Sequence, residues 1–129
     1  MHSSDLETLL ADALRAARVA RKRLAQVQEL PPTTRQRVAE VDERLSSGTF
    51  FEEKALDGID TLADDLRTAR DAERRWIQPD GAIWPDTVFT ERGEALDAAC
   101  RALERVHATA AAVVDRRRAE ALAAAPPDR

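Results

Sequence analysis

The chain has no tyrosine, two tryptophans, three phenylalanines, four glycines and one cysteine in 129 residues. A single cysteine excludes an intramolecular disulfide. Cys100 lies among apolar helix positions, so a buried free thiol in a reducing cytosol is expected. No apolar run approaches the roughly 18 residues of a membrane span, and the N-terminus has no apolar signal core. A soluble cytoplasmic protein without membrane contact is therefore expected. The net charge of -4 gives the molecule no long-range attraction for phosphate backbones or anionic lipid. Leu, Ile, Val and Phe total 27 of 129 residues, too few for a broad strand sandwich.

Alanine is abundant instead, with 25 copies. It is the best helix former but buries little area, which predicts a thin helical core with closely spaced helices. Of the 20 basic residues only Lys22 and Lys54 are lysine, a composition that suggests a GC-rich bacterial genome. At 14.3 kDa one domain is expected, over residues 1–125, with 126–129 as a disordered tail after the stretch AEALAAAPP.

Ser4-Asp5-Leu6-Glu7 is a capping-box pattern that opens a first helix. Leu6, Leu10, Ala13, Ala17, Ala20, Leu24 and Val27 then recur at alternating spacings of four and three, with Leu9 and Leu14 widening the stripe. Pro31 and Pro32 end this helix near residue 29. A short helix of three turns follows from Thr34 to Leu45, carrying Val38, Val41 and Leu45, and stops at Ser46-Ser47-Gly48. Thr49-Phe50-Phe51-Glu52 repeats the capping logic and opens a third helix that reaches Trp76 along Ala55, Ile59, Leu62, Leu66 and Ala69. Gly58 inside it points to close helix packing. A last helix, capped by Thr90 or Asp86, runs to about Ala124 with Leu96, Ala99, Leu103, Val106, Ala110 and Val113 on one face. Its length leaves a turn or two with nothing to lean on. The fold class expected is all-α: an antiparallel bundle of three long helices and one short helix, a pattern that dimerisation also completes.

Both tryptophans fall in WIQPDGAIWPD, residues 76–86. Gln78-Pro79-Asp80-Gly81 is turn chemistry, so a loop is expected here, bordered by Trp76, Ile83, Trp84 and Phe89. Two readings stand: the rings plug one end of the bundle, or they form an exposed hot spot or ligand lid, with Trp84 the better placed for exposure.

Arg15, Arg18 and Lys22 share one face of the first helix, beside Arg21 and Arg23, and Arg116, Arg117 and Arg118 follow Val113 and Val114. These basic residues form a solvated face, or recognise an acidic surface or a phosphate backbone. The absence of interleaved aromatics disfavours single-strand nucleic acid. Glu52, Glu53, Asp57, Asp60, Asp64 and Asp65 offer them an internal or intermolecular counterpart. Asp57, Asp60 and Asp64 share a helix face but lack histidine partners, so no metal site and no cofactor is expected. His107 reads first as a half-buried structural histidine.

The run RALERVH, from Arg101 to His107, resembles the arginine, four to six residues, histidine motif of the all-helical HEPN ribonucleases. That resemblance covers seven residues and implies that Arg101 and His107 handle a scissile phosphate; Ala102 stands where the family commonly has a polar residue. Elsewhere no nucleophile, oxyanion loop or glycine-rich phosphate cradle is visible. The function expected is a non-catalytic helical adaptor or accessory subunit that docks on a protein partner or on itself, a homodimer included, through Trp84, Trp76 and Phe89 and the arginine end of the last helix. The rivals are a nucleic-acid binder or helical ribonuclease, and a ligand sensor or enzyme with a pocket beneath the tryptophan loop.

Overall fold

The aliphatic stripes become four helices: α1 (His2–Leu24), α2 (Pro32–Ser47), α3 (Glu53–Asp71) and α4 (Glu91–Ala124). The computed structural model describes residues 2–78, 80–84 and 86–124, and only the backbone of residues 2–4. The Ser4 side-chain cap, Pro79, Pro85 and the 126–129 tail lie outside the described residues. Ion pairs give the helix directions. Arg21 of α1 meets Asp42 of α2 at 3.0 Å, Arg37 of α2 meets Asp65 of α3, and Arg67 and Arg70 of α3 meet Glu104 and Asp97 of α4 at 2.7 and 2.9 Å. Arg116, late in α4, lies 3.6 Å from Asp5 at the start of α1. Each helix thus packs antiparallel to the next, and α4 closes the ring against α1 in an up-down-up-down bundle.

The core follows the stripes. Ile59, Leu62 and Leu66 of α3 and Leu96, Leu103, Val106 and Val113 of α4 are fully or almost fully buried, with Phe50 filling the gap before α3. Each such side chain contributes about 1.5–3 kcal/mol on burial. From α1 the core receives chiefly Ala13, Ala16, Ala17 and Ala20, which let α1 and α4 approach closely. Leu14, expected to widen the stripe, is instead exposed.

Helix ends depart from the sequence reading. α1 begins at His2 and stops at Leu24, short of residue 29. The chain then tightens, with Gln26 and Val27 N–H groups donating three residues back, to the Arg23 and Leu24 carbonyls, and Glu29 takes a left-handed φ of 59° that turns Leu30 inward. The residue before proline disfavours helix, so the stripe through Val27 continues without the helix beneath it. α2 starts at Pro32, where proline's fixed φ suits the first turn, and Gly48 ends it at a φ of 76° with its N–H returned to the Arg44 carbonyl. Thr49 does not cap α3. Its hydroxyl is bonded to Ser47 Oγ at 2.8 Å, and α3 begins at Glu53.

Gly58 is corrected as well. It is exposed, and a methyl group there would meet nothing within 4 Å, so no helix is packed against it. The largest departure lies between α3 and α4. α3 ends at Asp71 rather than Trp76, and the expected loop is a hairpin of β1 (Arg74–Ile77) and β2 (Asp86–Phe89). No helix among the described residues is long and apolar enough to cross a membrane.

Candidate functional site

Arg74 pairs with Phe89, Arg75 with Val88, Trp76 with Thr87 and Ile77 with Asp86 in an antiparallel ladder. Directly opposite residues share a face, so Arg74, Trp76, Thr87 and Phe89 lie on one side and Arg75, Ile77, Asp86 and Val88 on the other. The root is fixed firmly. The Thr90 N–H donates to the Glu73 carbonyl at 3.0 Å, and the Thr90 hydroxyl, caps α4 by accepting the Gly93 N–H at 3.1 Å. Of the two expected caps, Thr90 is the one used. Asp86 sits in β2, its Oδ1 accepting the Thr87 N–H at 2.8 Å.

Arg92 braces the root from below. It donates to Glu73 Oε1 at 2.7 Å and to the Glu29 and Gln28 carbonyls at 2.9 and 3.3 Å, joining the hairpin to the connector between α1 and α2. Beside this guanidinium the Glu73 carboxyl is held below its ordinary pKa. Gly93 allows the close approach: a methyl there would stand 2.9 Å from both Glu73 Cβ and Phe89 Cβ. Phe89 lies under the guanidinium groups of Arg70 and Arg74, at 5.6 and 5.1 Å from its ring centre. It is an anchor of the hairpin, half-buried, rather than part of an exposed contact.

The outer part of the hairpin faces solvent. Trp76 is 73% exposed, Trp84 80% and Ile83 86%. The plug reading therefore fails, because the rings cover no end of the bundle. Gln78 Nε2 bonds the Ala82 carbonyl at 2.7 Å and orders the tip. No family model matches the chain, and no curated protein or solved structure is similar to it.

The arginines of α4 lie elsewhere. From Glu91 to Arg116 the helix axis rises roughly 37 Å at 1.5 Å per residue, so the two expected contact regions sit at opposite ends of the bundle. Arg116 also meets Glu120 at 3.2 Å, and Arg117 lies over the Phe51 ring at 5.3 Å, which ties both to the bundle instead of leaving them overhanging. Arg118 borders a shallow recess of about 190 Å³ with His107, Glu53, Asp57 and Asp115. On α1 the Arg15 side chain pairs with Asp12, while Arg18 and Lys22 face solvent. The acidic run of α3 meets α2 and its own helix, through Arg37 to Asp65 and Arg67 to Asp64, and not the arginines of α1.

Arg101 and His107 both lie on α4. Six residues along one helix turn side chains about 120° apart and about 9 Å along the axis, and Arg101 is held by Asp97 at 2.9 Å. Among the described residues no group of three or more His, Cys, Asp or Glu side chains is gathered closely enough to hold a metal ion. A recess of about 570 Å³ lies between the end of α1 and α2, lined by Leu24, Val27, Leu30 and Val38 beneath the Arg21–Asp42 pair, rather than under the tryptophans. Cys100 is buried, its Sγ 3.5 Å from the Ala63 carbonyl and 3.4 Å from Glu104 Oε1. Burial, then Glu104, pushes its thiol up to about 11.

The sequence reading missed the root: Glu73, Arg92 and Gly93 carry no motif. Arg74-Arg75 directly before Trp76, and Thr87-Val88-Phe89 after the second tryptophan, were the available signal for strands.

Proposed function

We propose that this chain is a non-catalytic helical interaction module whose contact element is the β1–β2 hairpin. One observation carries the reading: Trp76, Ile83 and Trp84 project from a braced arm with most of their surface in water. Large apolar side chains grouped on a monomer's surface mark contact sites, and tryptophan is enriched among the residues that dominate binding energy. Burying each of these side chains contributes roughly 2 kcal/mol or more. A two-stranded hairpin is marginal by itself, so the brace from Arg92 and the cap from Thr90 support an arm held ready rather than one that folds on contact. The bundle supplies the rigid base. The buried lone thiol of Cys100 supports a reducing compartment, as in a bacterial cytoplasm.

The test is recovery of the chain's complex from its native cell, followed by affinity measurement with the purified components. Trp84→Ser combined with Trp76→Ser is expected to weaken binding about a hundredfold, while the circular dichroism of the variant stays that of a helical bundle. An unchanged affinity removes the hairpin as the contact element.

A further inference from the structure

We propose that the partner of the hairpin is a second copy of this chain, with β1 pairing antiparallel to β1 across a two-fold axis into one continuous sheet. This deepens the interaction reading and rests on it. β1 is the outer strand: Arg74, Arg75 and Trp76 are exposed, whereas Thr87, Val88 and Phe89 of β2 are half-buried and β2 leans on α4. Among the described residues the sheet has two strands, so the outward backbone groups of β1 have no strand partner there. No proline interrupts the Arg74–Ile77 run, so each of its residues keeps a backbone N–H for pairing, and the charge on this edge is that of Arg74 and Arg75.

Charge selects the occupant and the orientation. The root of the hairpin carries Arg75 and Arg74, the latter 3.6 Å from Asp71 at the end of α3, and the tip is acidic, with Asp80 in the turn and Asp86 opposite Ile77 at the far end of the ladder. Two positive and two negative side chains make residues 74–89 neutral as a whole. A uniformly acidic or basic partner is attracted at one end and repelled at the other. An antiparallel copy sets root against tip at both ends. A two-fold axis perpendicular to the sheet also keeps the faces in common, so the Trp76 rings of both copies fall on one side and cover each other.

Sedimentation equilibrium of the full chain across the micromolar range tests this. The expected result is a reversible dimer. Arg74→Asp with Arg75→Asp, and separately Asp80→Arg with Asp86→Arg, are each expected to raise the dimer Kd about a hundredfold by setting like charges together. An equimolar mixture of these two variants restores dimerisation, which a folding defect in either would not allow. A wild-type chain that stays monomeric, a Kd unmoved by both charge swaps, or a mixture that fails to recover overturns the proposal. If the chain alone is monomeric yet loses a complex with another protein on Trp84→Ser, self-pairing falls and the interaction reading stands. If it is a dimer indifferent both to the charge swaps and to Trp76→Ser with Trp84→Ser, both fall.

Discussion

Gly58 and Gly93 both sit inside helices, and their surroundings set opposite expectations. Around Gly58 there is open space, so Gly58→Ala only reduces the freedom of the unfolded chain and is expected to stabilise by about 0.5–1 kcal/mol. At Gly93 the added methyl meets Glu73 Cβ and Phe89 Cβ at 2.9 Å, neither of which is the far end of a flexible side chain. Gly93→Ala is expected to cost about 1–3 kcal/mol. Urea melts of the two variants check both signs. Cys100 supplies a pH dependence. Its folded-state pKa is raised from 9.0 to about 11, so its contribution is fully present below pH 9 and is lost as pH rises towards 11. The fall in urea midpoint across that window is expected to be smaller in Cys100→Ala, and alkylation of the native thiol at pH 8 is expected to be slow.

At the scale of elements, the hairpin stands apart from the core it is attached to. Replacing residues 75–88 by a short glycine-serine turn removes Trp76, Ile83 and Trp84, which are exposed, and leaves Leu62, Leu66, Leu96 and Leu103 in place. The expected outcome is a thermal midpoint within a few degrees of the intact chain; calorimetry is the check. The four helices were legible because their four-three stripes span many turns: every predicted stripe residue of the last helix is buried. The hairpin was not. Its strands are four residues each, RRWI and DTVF, too short for alternation to show, and their pairing is a long-range contact that no local pattern records. Helix ends failed for a related reason, since Val27 stays partly packed after α1 has ended and continues the stripe through a turn. In the candidate site, Trp76 and Trp84 were legible as rare aromatics in turn chemistry, whereas the brace of Glu73, Thr90 and Arg92 exists only once the chain has folded.

For the whole molecule, α4 is the common wall against which α1 and α3 pack, and its last turns matter unequally. Ala121 to Ala124 are exposed, Leu122 included, so ending the chain after Glu120 is expected to change stability by no more than about 0.5 kcal/mol. Ending it before Val113 removes a fully buried side chain together with the contacts of Arg116 to Asp5 and Arg117 to Phe51, and is expected to cost several kcal/mol. Denaturation of the two truncated chains separates the cases.

One guanidinium, that of Arg92, grips the Glu73 carboxylate at the arm's base and two carbonyls of the crossover leading into α2. The base of the arm is therefore fastened to that crossover through a single side chain. Gln28 and Glu29 border the mouth of the α1–α2 recess, so one guanidinium spans the hairpin's base and a cleft wall some sixty residues earlier in the chain.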